Sequence, residues 1–439
     1  MTITHQHHPL DQQVRAVQSR AESAHSHAAS VRHKIQAEEP RIHAWVALSD
    51  HIDRDAATID ENPEGLPLAG VSVGIKDIID VKGLPTRAGT TLTGPEPAST
   101  DAACVTRLRA LGAIVQGKTV TTEFAYLHPG PTRNPHALDH TPGGSSSGSA
   151  AAVGADTIPL ALGSQTAGSL TRPAAYCGAA GMVLPHGSVD MSGIVGLSRS
   201  LDSLGLLTRT VADLSYVHAV FTTGNPPTTD GAPITQVRVW DGDGMADLDP
   251  EMSALIASVP GLMTKLGAHT EKLNWSEHVH RLTREHLDVM SYESLHERKR
   301  EYTHHAEQLS EPLLDLLRAG ERVSPDQHAT VLRYRDHALS LLAEHVGEDA
   351  VIVGPATPGP APKGLQSTGL SVFSRAWQLL GLPVVVVPGA QTHSGLPLGL
   401  QIIGLPGSEL KMFDLGMKME SSLRQRVSYA SIVNADLAP

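Results

Sequence analysis

Two segments built from small residues restrict the fold of this chain more than any other feature: TPGGSSSGSAAA at 141–152 and SQTAGSLTRPAAYCGAAG at 164–181. Glycine and alanine let backbone segments approach each other closely, so we expect the second segment to lie at a tightly packed centre. The first segment lies at the end of a stretch, 123–149, that is rich in Pro, Gly, Asn, His and Ser and is therefore predicted to be loop. Long loops in compact domains are often functional.

Short apolar runs alternate with helical patterns around these segments. LPLAGVSVGIKDIID and GAIVQGKT are predicted strands on either side of a helix over DAACVTRLRALG, and strands resume at DAVIVGPATP, LPVVVVPGA and LGLQIIG. This alternation, over 66–122 in particular, predicts βαβ units and an α/β fold. Between about 250 and 345 the pattern is helical and charged, with Pro312 and Pro325 as interruptions. We expect a helical block there that covers the site.

The N-terminal region is predicted to be one helix packed on the body of the protein. Residues 11–36 place apolar side chains at steps of three and four, which form one narrow stripe along a helix. Pro40 is expected to mark the end of this helix. The predicted division is therefore an N-terminal helix within 1–40 and a single domain over 41–439, of which 250–345 is the covering block.

The balance of charge limits the classes of partner. The 439 residues include 34 Lys and Arg against 46 Asp and Glu, which gives a formal charge of −12. This charge repels phosphate backbones and anionic headgroups, so nucleic acid and membranes are not expected partners. Two cysteines, Cys104 and Cys177, cannot form a disulfide framework, and MTITHQHHPLDQQ lacks the pattern of a signal peptide. We therefore expect a cytoplasmic protein.

Three interpretations of 141–152 compete. A phosphate loop would cradle an anion with backbone amides, but the GK[ST] ending is missing. A G-x-S-x-G nucleophile elbow centred on Ser146 needs a strand directly before it, and NPHALDHTP is a poor strand. The third interpretation joins Ser145 to Ser169 in TAGSLTRP, 24 residues later, and to the lysine of VGIKDIID as a Ser-Ser-Lys relay.

These motifs resemble the amidase-signature family. That family has an apolar G-I-K-D segment, a GGSS run and a D-x-G-G-S type segment at the same separation, and each has a counterpart here. The likeness extends over about 66–215 and resumes at 349–404. GLPTRAGT, GPTRNP, SLDSLGLLTRTVADL and GLPLGLQIIG add to it.

The resemblance implies an α/β fold, an α/β/α sandwich around a large mixed twisted β-sheet, with no metal or organic cofactor. It implies that Lys76 is the base, Ser145 the bridging serine next to a cis peptide, and Ser169 the nucleophile of a Ser-cisSer-Lys triad. The implied activity is cleavage of a small-molecule amide through an acyl-enzyme by a monomer or homodimer. The same chemistry extends to esters and carbamates, and the family includes aryl acylamidases and urethanases.

Elementary chemistry supports these residue types. A serine hydroxyl is a weak nucleophile until a base takes its proton, and an amine is such a base only when it is neutral. The pKa of a free lysine is near ~10.4, so Lys76 needs an apolar, enclosed setting that lowers its pKa. Its neighbours in VSVGIKDII are mostly apolar. The alternative is that Lys76 pairs with Asp77 or Asp80, as most lysines pair with a nearby acid.

Further side chains are expected around the triad. Backbone N–H groups in one turn can point at a single atom and form an oxyanion hole, although a plain packing turn explains the same sequence. These turn residues are Thr166, Ala167, Gly168 and Ser169. Ser147 and Ser164 are candidates to hydrogen-bond the amine, or they are plain loop serines. The remaining candidates for substrate binding are Tyr126, Leu127, His128, Gly143 and Gly144.

The sequence departs from the commonest family pattern at three positions. Gln165 stands where an Asp is usual, Ala167 stands where a Gly is usual, and the arginine is Arg172 in SLTRP. This variant resembles the branch that includes malonamidase-like enzymes. Arg172 either clamps a substrate carboxylate by paired hydrogen bonds or forms a buried structural ion pair with Asp202.

Other functions remain open beside the amidohydrolase. One is the glutaminase subunit of a tRNA amidotransferase, although the shortened loop before GPTRNP and the altered QTAGS segment argue against it. Another is an inactive scaffold of the same fold. The 24 histidines invite a metal hypothesis, but the helical ones lack an H-E-x-x-H arrangement, so no metal site is predicted. Cys177 lies among small apolar residues that raise the pKa of a thiol, and it is interpreted as packing.

Overall fold

One large sheet runs through the computed structural model, which describes residues 9–227, 233–347 and 349–435, the last ten by backbone alone. Its eleven strands within these ranges are β1 Trp45–Leu48, β2 Ser72–Lys76, β3 Ile114–Thr119, β4 Leu160–Gln165, β5 Ala180–Val183, β6 Ser203–Thr208, β7 Gln236–Val239, β8 His269–Lys272, β9 Ala350–Pro355, β10 Val384–Gln391 and β11 Pro397–Ile403. Their spatial order is β1-β3-β2-β4-β6-β5-β10-β11-β9-β7-β8.

Helices cover this sheet. Those in the described ranges are α1 Leu10–Gln18, α2 Ala24–Ile42, α3 Ile52–Glu61, α4 Ala103–Ala110, α5 Ser147–Gly154, α6 Thr171–Cys177, α7 Val211–Thr223, α8 Pro250–Lys265, α9 Ser276–Glu297, α10 Lys299–His304, α11 Glu311–Gly320, α12 Pro325–Val346, α13 Val372–Leu379 and α14 Glu409–Ala435. None of the helices searched within these ranges has both the length and the apolar character that a membrane-spanning segment needs.

The strand pairing is mixed. β2 is parallel to both β3 and β4, whereas β4, β6, β5, β10, β11 and β9 pair antiparallel in turn. Every residue of β2, β3 and β4 is buried, which requires cover on both faces of the sheet. The predicted α/β fold with a large mixed sheet is confirmed, and the βαβ unit expected over 66–122 is formed by β2, α4 and β3.

The N-terminal region contains two helices, so the prediction of one continuous helix is wrong. α1 ends at Gln18, Arg20 adopts a left-handed φ of 61°, and Ser23 begins α2 by accepting a hydrogen bond from the Ser26 amide. Such an N-cap serine starts a new helix because it satisfies a free amide of the first turn. Pro40 does not end α2, which continues to Ile42. Residues 1–8 of the predicted N-terminal region lie outside the described residues.

The block over 250–345 includes a strand that its pattern does not predict. β8 pairs with β7 at the edge of the sheet, so the expectation of a purely helical block is wrong at this point. The four residues of β8, HTEK, are mostly exposed, and such a short edge strand has no apolar pattern to reveal it. Within the block, α11 and α12 pack on α9, whereas α8 packs on β7, β8 and β9.

Gly148 in the first turn of α5 lies against the backbone of two other segments. A Cβ at this position would overlap the Ala44 carbonyl oxygen and the Val120 amide nitrogen, neither of which belongs to a flexible side chain. We therefore expect Gly148→Ala to lower the free energy of unfolding by about 1–3 kcal/mol, as overpacking a filled site does.

Gly261 in α8 provides the matched control for Gly148. It is also a helical glycine, but nothing lies within 4 Å of the Cβ that alanine would add. Gly261→Ala should therefore leave stability unchanged or raise it slightly, since alanine favours helix. Thermal unfolding followed by circular dichroism compares the two variants, and equal melting temperatures would contradict the close packing at Gly148.

Candidate active site

Lys76 is the last residue of β2, and its side chain is completely buried. The two neighbouring carboxylates have other partners. The Asp77 carboxylate lies 2.9 Å from Lys118 Nζ, and the Asp80 carboxylate accepts a hydrogen bond of 2.7 Å from Thr86 Oγ1. The interpretation that Lys76 pairs with Asp77 or Asp80 is therefore wrong.

Two serine hydroxyls surround the amine of Lys76. Its Nζ lies 2.6 Å from Ser145 Oγ and 2.8 Å from Ser164 Oγ. Ser147, the other serine predicted to bind the amine, instead donates its hydroxyl to the Val120 carbonyl at 3.3 Å. Ser147 is the first residue of α5, whereas Ser145 lies before the helix. The peptide bond that precedes Ser145 is cis.

The setting of Lys76 changes its acidity. Burial lowers the pKa of Lys76 to about 7, while the negative charge of Asp202 opposes this shift. Desolvation favours the uncharged form of an amine, and no carboxylate of the described residues touches the ammonium to restore its charge. A large fraction of the amine is therefore neutral at neutral pH and able to accept a proton.

Ser145 and Ser169 line the same cavity. Tyr126 and Leu127, both predicted to bind substrate, also line it. His128 does not, and borders a neighbouring open groove that shares Leu127 with the cavity. The two serine segments and the loop before them therefore converge on one cavity.

Gly143 and Gly144 contribute backbone rather than cavity wall. The Gly143 amide donates to Thr141 Oγ1 at 3.1 Å, and the Gly144 carbonyl accepts a hydrogen bond from Arg172 Nη2 at 2.5 Å. A Cβ at Gly143, where φ is 79°, would meet the backbone of Pro173 at 2.9 Å. Glycine is thus needed here for close approach between the two small-residue segments.

Gln165 organises the turn that carries Ser169. Its side-chain oxygen accepts hydrogen bonds of 3.0 Å from the amides of Leu170 and Thr171, and its side-chain nitrogen donates to Gln378. A carboxylate at this position would be able to accept the same two bonds. The Gln165 amide therefore organises the turn as an acceptor, and its bond to Gln378 uses a donor that a carboxylate lacks.

Thr166, at the start of this turn, forms hydrogen bonds through both its hydroxyl and its carbonyl. Its hydroxyl donates to Asp202 at 2.6 Å, and its carbonyl oxygen lies 2.8 Å from His286 Nε2. Burial lowers the pKa of His286 to about 3, so the imidazole is neutral and donates its Nε2 proton to the carbonyl. Sequence reasoning missed His286, because nothing distinguishes it from the other histidines of α9.

The amides that follow Thr166 are donors without a partner in the described part of the chain. The N–H groups of Ala167, Gly168 and Ser169 have no acceptor among the described residues. Backbone donors left free beside a nucleophile are what an oxyanion hole requires. All three residues line the cavity.

Arg172 holds backbone carbonyls. Its two terminal nitrogens donate to the carbonyl oxygens of Gly369 and Gly144 at 2.6 and 2.5 Å. Asp202 instead accepts from Thr166 and from the amides of Leu197 and Ser198, so the predicted ion pair of Arg172 with Asp202 is wrong. The cavity also contains an arginine that sequence reasoning missed, Arg375 of α13, since a single arginine in VFSRAWQL gives no catalytic signal.

Cys177 takes no part in this site. Cys177 is buried, its thiol donates to the Pro142 carbonyl at 3.4 Å, and burial raises the pKa of that thiol, which suits packing. Within the described ranges, no cluster of three or more His, Cys, Asp or Glu residues is arranged to hold a metal ion.

Comparison with known proteins places this chain in a family. The family model named Amidase matches residues 28–413. The chain is 29% identical to a glutamyl-tRNA(Gln) amidotransferase subunit of Koribacter versatilis, over 93% of this chain and 97% of that protein. It is also 29% identical to the 2-amino-5-chloromuconic acid deaminase of Comamonas testosteroni, over 88% of this chain and 90% of that protein.

Solved structures share the fold over nearly the whole chain. A crystal structure of an amidase superimposes with a TM-score of 0.85 at 25% identity, and covers 94% of this chain and 100% of that chain. The agreement therefore extends well beyond the segments that carry the serines and the lysine.

Proposed function

Because the chain belongs to the Amidase family, we propose that it is a serine amidohydrolase that cleaves the C–N bond of a small-molecule amide. One observation carries this proposal. A buried lysine amine, which no carboxylate of the described residues contacts, lies 2.6 Å from Ser145 Oγ, and Ser145 shares a cavity with Ser169. An amine in that setting is a base, and a serine beside it is the group that such a base activates.

In the proposed mechanism Ser169 Oγ attacks the carbonyl carbon of the amide. Its proton passes to Ser145 Oγ while the Ser145 proton passes to Lys76 Nζ. The lysine ammonium then returns a proton through Ser145 to the leaving nitrogen, so an amine departs and an acyl-enzyme remains. A water molecule loses its proton through the same relay, attacks the ester carbonyl and releases the acid.

The amides of Ala167, Gly168 and Ser169 are proposed to stabilise the negative charge that develops on the carbonyl oxygen. Each donor of this kind contributes about 10²–10³ to the rate, because it is already oriented when the charge appears. Thr166 fixes this turn through Asp202 and His286, so these two residues act as positioning residues. Ser164 orients the amine toward Ser145.

The substrate class follows from the chemistry of an acyl-enzyme. The relay would also cleave esters and carbamates, so aryl acylamidase and urethanase activities belong to the same proposal. The mechanism needs no cofactor. The two free cysteines, which are buried, suit a protein that works in the cytoplasm.

A second candidate is the glutaminase subunit of a tRNA amidotransferase. The observation that favours it is the likeness to proteins named as subunits of glutamyl-tRNA(Gln) amidotransferase. Such a subunit needs partner proteins, whereas an independent amidohydrolase does not. If the chain is an independent amidohydrolase, the purified chain alone should hydrolyse short aliphatic amides, anilides or aryl carbamates. Ammonia release from glutamine only after partner subunits are added would favour the second candidate.

Covalent labelling tests the proposed nucleophile. A fluorophosphonate should modify the wild-type protein at Ser169, and Ser169→Ala should abolish labelling and lower amide hydrolysis by at least about 10³-fold. The matched control is Ser30→Ala, because Ser30 is an exposed serine of α2 far from the relay in sequence. A folded wild-type protein that is not labelled would indicate the inactive scaffold instead.

The acidity of Lys76 predicts a pH profile. Below its pKa of about 7 the amine is protonated and cannot accept the Ser145 proton. We expect kcat/KM for an uncharged amide to fall by about tenfold per pH unit below that value and to be flat above it. Protein incubated at each pH and assayed at pH 8 controls for irreversible unfolding. A rate that is constant between pH 5 and 8 would mean that Lys76 is not the base.

A further inference from the structure

Arg375 is the second arginine, besides Arg172, that lines the cavity. It lies in α13, its side chain is half-buried, and it lines the same cavity as Ser169. No described residue forms a hydrogen bond or ion pair with its guanidinium, and its Nε is buried without an acceptor. A charged group removed from water without a partner is costly, so such groups usually belong to a site that binds something.

Three acids on segments around this cavity already have partners. Asp202 accepts from Thr166, the Glu123 carboxylate accepts from the Ser310 amide at 3.1 Å, and Asp315 lies 3.2 Å from Arg318. Among the residues that the structure describes, no Asp or Glu lines the cavity itself. The positive charge of the wall is therefore not neutralised within the described part of the chain.

The other arginine of the cavity differs from Arg375 in its contacts. Both terminal nitrogens of Arg172 are occupied by the carbonyls of Gly369 and Gly144, which ties its guanidinium to the backbone. The guanidinium of Arg375, which no described residue engages, keeps its donors for an incoming group. Arginine also remains charged in proteins even where burial lowers its pKa, as it does here.

We propose that Arg375 binds a carboxylate of the substrate, so that the preferred substrates are amides that also carry an acid group. This inference rests on the proposed function, and it names the substrate class of that site. A guanidinium and a carboxylate form two parallel hydrogen bonds, which fixes the orientation of the molecule as well as its affinity.

Equilibrium binding to the Ser169→Ala variant separates recognition from catalysis. Succinamate and glutaramate would be compared by calorimetry with succinamide and glutaramide, which replace the carboxylate by a neutral amide of the same shape. The acids should bind about 10- to 100-fold more tightly than the diamides, as expected for a charge-assisted pair of hydrogen bonds.

Substitutions in the same background assign this preference to Arg375. Arg375→Met should remove it, because methionine keeps the apolar stem and loses the charge. Arg375→Lys should keep part of it, because an ammonium still attracts a carboxylate. Arg333→Met is the matched control, since Arg333 is an exposed arginine of α12 whose guanidinium contacts Thr330, and it should leave the preference unchanged.

Stability measurements distinguish binding from a structural role. An arginine that makes no bond to the fold does not hold it together, so Arg375→Met should not lower the melting temperature. If that variant fails to fold, Arg375→Gln and Arg375→Lys provide the comparison. Equal affinity for acids and diamides, or an acid preference that survives the loss of Arg375, would overturn the inference.

The proposed function is tested by a different measurement. Fluorophosphonate labelling of the wild-type protein does not involve a carboxylate. If the protein is labelled and hydrolyses amides but does not bind acids more tightly than diamides, the proposed function is supported and the proposed role of Arg375 is wrong. If the protein binds the acids more tightly but is never labelled, the carboxylate site at Arg375 is supported and the proposed hydrolase function is wrong.

Discussion

The burial of the Lys76 amine is the constraint on which the rest of the site depends. A lysine with no access to water must find hydrogen-bond partners and avoid carboxylates, or it remains charged. The order of the strands gives the amine its hydrogen-bond partners and keeps carboxylates away from it. β3 lies on one side of β2 and supplies Lys118 to pair with Asp77, while β4 lies on the other side and supplies Ser164 to bind the amine.

The small-residue segments follow from the same constraint. Ser145 has to reach an amine at the end of a buried strand, so its loop must lie inside the protein, where backbone approaches backbone. Arg172 joins this loop to the segment that carries Ser169 by donating to the Gly144 carbonyl, and the packing of Gly143 on Pro173 reinforces the junction. The two segments therefore behave as one unit, although α5 and β4 lie between the two serines in sequence.

The parts of the site that could be predicted from the sequence are those carried by local motifs. Lys76, Ser145 and Ser164 lie in short segments with fixed spacing, and the structure places their side chains in contact. Ser147 could not be placed, because its direction depends on where α5 begins. His286 and Arg375 could not be found, because α9 and α13 reach the cavity only through tertiary packing. The break between α1 and α2 and the strand β8 were missed for lack of an apolar signal.

The two basic residues that bear on chemistry differ in a way that suits their proposed roles. Burial removes charge from an amine far more readily than from a guanidinium, because the pKa of an ordinary lysine is about 2–3 units lower than that of arginine. One site can therefore combine a neutral amine behind Ser145 with a permanent cation on the cavity wall. Lys76, which is completely buried and surrounded by hydroxyls, is suited to move protons. Arg375, half-buried at the cavity wall, is suited to hold a charge in place while those protons move. Exchanging the two residue types would defeat both roles, because an arginine in place of Lys76 would not release its proton.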